Sequence, residues 1–340
     1  MTGAAPLSLS PALAAPTLLD AKGRSKRKLR VSLTDRCNLR CHYCMPEKPR
    51  WLPRAELMTA SELHRLVSLF VQQLGIQELR LTGGEPLLRP DLPDIIASLN
   101  DLRSRGLQRI ALTSNGVRLA QAADHLHRAG LDDLNVSLDA VTPSVFHALT
   151  RGRIEPVLAG IAAAQSAGLP LKLNCVVIKG ANDSEVLPLT QWAKARGLPL
   201  RFIEFMPLDA NDSWRNDKVY TEAEIIDSLR QHYAVTALPR TSDPAQYYAL
   251  DDEGYRLGVI STISKPFCSR CDRLRLDARG RLYTCLFSAE GRDLLSPLRS
   301  GASDAELLLL IRTAVWDKPA GYVEQPGYVE RPITMHHLGG

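Results

Sequence analysis

From Leu29 onward the chain alternates short strand-like runs with longer amphipathic ones, and this rhythm restricts the fold more than any other feature. The strand-like runs cover Leu29–Thr34, Glu78–Thr82, Arg109–Thr113, Leu134–Leu138, Leu171–Ile178 and Leu200–Phe205. Helical spacing fills 59–74, 91–104, 119–129, 155–167 and 184–196 between them. Gly75, Gly106, Gly130, Gly168 and Gly197 each follow one of those stretches, where helices stop. A βα unit repeated at roughly 30 residues builds a parallel sheet. No G-x-G-x-x-G follows the first strand, which disfavours a dinucleotide fold. The expectation is an α/β chain, with a partial (β/α)6 TIM-type barrel over 26–208.

After about residue 206 the rhythm changes. A helical stretch at 221–232 precedes short strand-like pieces, "YYAL", "YRLGVI" and "RLRLDA". These predict a C-terminal, partly antiparallel appendage over 209–340, with loops at 240–246 and beyond 317. Residues 1–25 read as a disordered leader, because the start lacks a basic region and carries Pro6, Pro11 and Pro16. The six cations between Lys22 and Arg30 read as a solvated approach to the first strand. No apolar run reaches the roughly 18 residues of a membrane span. The net charge of +5 suggests a solvated surface rather than one made for nucleic acid.

Seven cysteines, an odd number, suit metal chemistry in a reducing cytoplasm better than a disulfide framework. Cys37, Cys41 and Cys44 form C-x3-C-x2-C just after the first strand, at the barrel end where active sites gather. A structural zinc takes four protein ligands, and His42 sits between two of the thiols, in poor geometry for a fourth. A four-iron cubane held by three cysteines leaves one iron open to an outside ligand. Cys268, Cys271 and Cys285 repeat the count at C-x2-C-x13-C. A zinc ribbon would want a second C-x2-C pair there, so a second cluster with an open iron is the preferred reading.

Strand periodicity adds the cations. Arg30 alternates with Leu29 and Val31, Arg80 with Leu79 and Leu81, and Lys172 with Leu171 and Leu173. The helix-covered side of a barrel takes the apolar phase, so Arg30, Arg80 and Lys172 should point inward. Either an anionic ligand or internal carboxylates must neutralise them. Arg273 and Arg275 share a face beside the second cysteine set, which suits a substrate with phosphates at one end and a heteroatom ligand at the other. Thr82-Gly83-Gly84-Glu85-Pro86 offers close backbone approach and a carboxylate for an ammonium. Cys175, on the apolar phase, reads as a plain buried thiol.

The C-x3-C-x2-C loop, with Tyr43 before its last cysteine, resembles that of the radical S-adenosylmethionine (SAM) enzymes. Together "TDRCNLRCHYCMP", "RLTGGEPLLR", "LTSNG", "NVSLDA", "RFIEFMP", "FCSRCDRLRLDARGRLYTCLF" and the terminal Gly339-Gly340 resemble the GTP 3′,8-cyclases of molybdenum cofactor biosynthesis. The resemblance implies two [4Fe-4S] clusters, one on Cys37, Cys41 and Cys44 and one on Cys268, Cys271 and Cys285. It implies SAM contacts at Tyr43, Gly83, Gly84, Glu85, Ser137 and Met206. Arg30, Arg80, Thr113, Lys172, Arg273 and Arg275 match GTP-binding positions, with Arg30, Arg273 and Arg275 closest to the chemistry. The implied enzyme is a lyase that takes hydrogen from C3′ of GTP and joins that carbon to C8. It also implies a one-electron reductant, a downstream cyclic pyranopterin monophosphate synthase and a homodimer. Another radical enzyme with an auxiliary cluster, such as a peptide maturase, and a zinc-dependent nucleic-acid-binding protein are the alternatives. The resemblance leaves out the leader, and His336 and His337 read as exposed tail.

Overall fold

The computed structural model describes residues 17–208, 214–251, 254–322 and 335–339. The first part is built as the periodicity predicts: β1 (Lys28–Ser32), α1 (Ala60–Gln72), β2 (Glu78–Thr82), α2 (Leu92–Leu99), β3 (Arg109–Ser114), α3 (Leu119–Arg128), β4 (Asp133–Ser137), α4 (Pro143–Thr150), α5 (Glu155–Ser166), β5 (Leu171–Val177), α6 (Val186–Lys194) and β6 (Leu200–Glu204). The five glycines expected to stop helices all adopt positive φ. Only α4 escaped the sequence reading; Pro143 in its first turn starts it.

Strands β1 to β6 pair in parallel and in chain order. Their apolar phase, including Leu29, Val31, Leu79, Leu81, Leu134 and Leu173, is fully buried against the helices. That phase supplies the main core, and the other phase is left for chemistry. No described helix is long and apolar enough to cross a membrane.

The C-terminal part is partly antiparallel, as expected, and its strands join the same sheet at both edges. It contributes α7 (Glu222–Arg230), β7 (Val235–Ala237), β8 (Gln246–Leu250), β9 (Tyr255–Ile260), β10 (Arg273–Leu276), β11 (Arg281–Tyr283), β12 (Arg292–Asp293), α8 (Leu295–Arg299), α9 (Asp304–Trp316) and α10 (Met335–Leu338). One sheet runs β12-β11-β10-β1-β2-β3-β4-β5-β6-β9-β8-β7. Strand β10 extends it in parallel beyond β1, and β9 extends it in parallel beyond β6. Antiparallel hairpins then finish both edges, and β12 and β7 do not pair. The partial barrel therefore stays open, with each end of its parallel sheet widened by a strand from after residue 250.

Two expectations are corrected. Residues 1–16 lie outside the described part, but 17–25 are packed rather than disordered: Leu18, Asp20 and Arg24 are buried, and Leu19 bridges to Ser25. Lys26, within the cation run, is 1% exposed. A short polar segment is buried by what docks on it, which its own composition does not show. At the other end, α10 tucks His336 and Leu338 into the protein, so the histidines are not exposed tail. Gly340 lies outside the described residues.

Candidate active site

All inward-facing cations predicted from strand phase converge on one cavity. Arg30, Arg80, Lys172, Arg273 and Arg275 line it together with Cys268, Cys271 and Cys285. Register explains the convergence. Arg30 is aligned with Arg80 on one side and Arg275 on the other, and Lys28 with Arg273. Residues from β1, β10, β6 and β9 line this one space, so the sheet wraps around it.

Sequence reasoning missed Arg201. It lies on the inward phase of β6 with Ile203 and lines the same cavity, and applying the same period-two rule to "LRFIE" would have found it. Its Nε donates to Asn174 Oδ1 at 3.0 Å. A Cβ on Gly258, aligned with Arg201 on β9, would stand 2.9 Å from the arginine's Cγ, so glycine leaves it room. With its amide oxygen turned toward them, Asn135 accepts from Arg80 and Arg201 at 3.1 Å each.

The charge of this cavity is largely uncompensated. Arg80 has Asp133 at 3.7 Å. Among the described residues, no carboxylate lies within ion-pair distance of Arg30, Lys172, Arg201, Arg273 or Arg275. Burial, and then the neighbouring Arg275, Arg273, Arg80 and Arg201, depress the pKa of Arg30 well below its usual range. Guanidinium groups do not give up their protons, so such crowding is relieved by an anion. Internal carboxylates answer the sequence-level question at Arg80 only.

A second cavity adjoins the first, and Thr113, Asn174, Ile203, Met206 and Met335 line both. Around it stand Cys37, Cys41, Cys44, Tyr43, Gly83, Gly84, Ser137 and Asp139. The Thr113 Oγ1 is buried without a hydrogen-bond partner among the described residues, at the junction of the two spaces. Asn115, not assigned from the sequence, donates from Nδ2 to the Cys37 sulfur at 3.6 Å and to Asn38 Oδ1 at 2.8 Å.

The strand-end motif works differently from expectation. A Cβ on Gly83 would lie 2.6 Å from the Thr34 carbonyl oxygen, and one on Gly84 2.4 Å from that of Arg36. These glycines let the β2 turn press against the backbone leading into the cysteine loop. Glu85 lines neither cavity. It is fully buried, and its carboxylate accepts from Leu87 N, Ser114 Oγ and Asn115 N at 3.0, 2.8 and 2.7 Å. Burial pushes its pKa up to about 7. It pins the end of β3, turned away from both cavities. Tyr43 donates to Asp139 Oδ2 at 2.5 Å, and burial raises Asp139 to about 6.

The donor sets fit polynuclear clusters. A single zinc would draw its thiolates to within about 4 Å of one another. Among the described residues, no trio of His, Cys, Asp or Glu converges that way on one ion. Each cysteine set instead stands around the wall of its cavity. Burial raises the pKa of Cys37 and Cys41 and pushes Cys44 up to about 12, so these thiols hold no charge until a cationic group arrives. Cys175 is buried and belongs to neither cavity.

Residues 31–193 match the family model of the radical SAM superfamily, and 198–324 that of Molybdenum Cofactor Synthesis C. The GTP 3′,8-cyclase of Streptomyces coelicolor is 46% identical, over 96% of this chain and 97% of its own. The chain belongs to the GTP 3′,8-cyclase family of radical SAM enzymes. The relative from Paenarthrobacter nicotinovorans is 44% identical over 97% of this chain and 99% of its own. The cyclase family uses SAM and [4Fe-4S] clusters, and the two cysteine-lined cavities are where this chain has donors for them. Among solved structures, Streptococcus suis SuiB superposes with a TM-score of 0.58 at 11% identity, covering 88% of this chain and 68% of that one. That likeness supports the fold alone.

Proposed function

We propose that this chain converts GTP to (8S)-3′,8-cyclo-7,8-dihydroguanosine 5′-triphosphate, the opening step of molybdenum cofactor biosynthesis, in the two joined cavities. The observation that carries the reading is the row of Arg275, Arg30 and Arg80, aligned strand to strand on the cavity that holds the second cysteine set and adjoins that of the first. When bound, SAM and the cluster on Cys37, Cys41 and Cys44 supply the 5′-deoxyadenosyl radical that abstracts hydrogen from C3′.

The chain's own residues do the positioning. Arg30, Arg80, Lys172, Arg201, Arg273 and Arg275 hold the triphosphate, since planar guanidinium forks match phosphate oxygens bidentately. Cys268, Cys271 and Cys285 hold the second cluster at the far wall, where the guanine base approaches. Ser137, Met206, Tyr43 and the Gly83-Gly84 backbone shape the SAM cavity, and Thr113 offers its hydroxyl where the two ligands meet. We assign the chain to the cytoplasm, with a one-electron reductant, a homodimeric state and a downstream cyclic pyranopterin monophosphate synthase as its partners.

The test is turnover of GTP deuterated at C3′ by the anaerobically reconstituted protein. Deuterium should appear in 5′-deoxyadenosine together with the cyclised triphosphate. Unlabelled 5′-deoxyadenosine, with GTP recovered intact, would overturn the assignment.

A further inference from the structure

Three buried cations hold the main chain at the second cysteine set, and two of them come from the segment before β1. Asp20, Arg24 and Lys26 are 2%, 8% and 1% exposed. The Asp20 Oδ2 receives Arg24 Nε at 2.7 Å and Lys26 Nζ at 2.9 Å, so one carboxylate fixes both. The remaining donors turn toward the cysteines. Arg24 Nη1 donates to the carbonyls of Cys268 and Ala320 at 3.0 and 3.1 Å, and Nη2 to those of Pro319 and Lys318 at 2.8 and 3.3 Å. Lys26 Nζ donates to the Cys271 carbonyl at 2.8 Å. Lys318, 3% exposed, donates to the carbonyl of Thr284, the residue before Cys285.

Each of the three thiols thus has a cation on its own or its neighbour's carbonyl. Buried ion networks are expensive, and apolar replacements often serve stability as well. Neutral amides could also satisfy these carbonyls. What only cations add is positive charge beside sulfur. At the first cysteine set, among the described residues, one cation does the same at one thiol: Arg40 Nη1 donates to the carbonyls of Cys37 and Leu39 at 2.8 Å each.

We propose that Arg24, Lys26 and Lys318, with Asp20 pinning the first two, form a cationic cradle that positions Cys268, Cys271 and Cys285 and raises the reduction potential of the cluster they hold. This rests on the assignment of those cysteines as the second cluster's ligands. The four are positioning residues, and net charge and hydrogen bonding around a cluster are recognised determinants of its potential.

The experiment uses the full chain, reconstituted anaerobically, with iron content, a redox titration followed by electron paramagnetic resonance, and the unfolding midpoint of the cluster-free chain. Lys26→Met and Lys318→Met should keep about eight irons per chain. Their second cluster should be reduced only at a more negative potential, while the first cluster is unmoved. Lys26→Arg should restore the wild-type potential, which also covers the case of Lys26→Met failing to fold. Asp20→Asn should lose the second cluster, leaving about four irons. Unchanged potentials in both methionine variants, or equal shifts of both clusters, would overturn the cradle. Cys271→Ala separates the two failures: if it retains all its iron, the ligand assignment itself is wrong, whereas loss of half with inert cation variants sinks the cradle alone.

Discussion

The two cysteine sets have the same number of thiols, yet their surroundings oppose each other. Around Cys37, Cys41 and Cys44 lie Asp139, the Asn115 amide, buried apolar walls and a single cation, Arg40, on the Cys37 carbonyl, and all three thiols are pushed toward the neutral form. Around the second set lie Arg273, Arg275, Lys26 and Lys318, and Cys271 is drawn toward the thiolate. A cluster in a cationic wall favours added electrons and anionic ligands; one in a buried wall with fewer cations is harder to reduce. Under the proposed function, the contrast fits electron delivery to SAM at the first site and capture of an anionic substrate at the second.

The contrast breaks most directly at the ligands. Cys41→Ala should abolish reductive cleavage of SAM, while Cys271→Ala should spare cleavage and stop GTP conversion. Quantifying 5′-deoxyadenosine and cyclised product side by side decides it, and equal loss of cleavage in both would erase the division.

Next in size are the arginines. Removing one partner of a desolvated charged contact costs about 2–5 kcal/mol. Arg273→Ala and Arg275→Ala should therefore weaken GTP binding by roughly tens-fold to thousands-fold, with both clusters intact and guanosine binding indifferent. Equilibrium binding at fixed salt measures this; undiminished GTP affinity would place the phosphates elsewhere.

Glu85 sharpens the picture of the first site's floor. Its pKa rises from an ordinary 4.5 to about 7 on folding, mainly through burial. The folded state therefore binds the proton more tightly than the unfolded one. Stability from this group is full below about pH 4.5 and declines as pH rises to about 7, by about 3 kcal/mol in all. Urea unfolding of the cluster-free Glu85→Gln chain should lack this decline. A slope identical to wild type would show that Glu85 ionises freely.

The smallest effect is expected at Thr113, whose buried hydroxyl has no partner among the described residues. If it serves a bound ligand, Thr113→Val should weaken that ligand about twofold to tenfold, the value of one neutral hydrogen bond. The unfolding midpoint should stay level or rise. A drop in stability without a change in affinity would make it a packing residue.

What the sequence revealed follows from the range of the interactions involved. Strand phase is local, so Arg30, Arg80 and Lys172 could be aimed inward from three- to seven-residue patterns. The cysteine spacings are local too. Glu85 could not be placed this way, because its partners Ser114 and Asn115 belong to the next strand end. Nor could Asp20, Arg24 and Lys26, whose partners lie at Cys268, Cys271 and 318–320. A cation run on paper looks solvated until the segment that covers it is known. The same holds for His336, buried beside the first cysteine loop at the far end of the chain.

The sheet order has a bearing on how the protein is made. During synthesis, β1 to β6 leave the ribosome with both flanks bare, since the strands that cover them, β9 and β10, are translated later. Parallel pairings of such long separation form slowly, and exposed edges invite association with other chains. Until residue 276 has emerged, the nascent chain holds the first three thiols without the cationic wall that completes the substrate cavity. Iron loading at the first loop can precede closure of the edges, but a competent substrate site cannot, so the order of synthesis delays the chemistry until the whole sheet is in place.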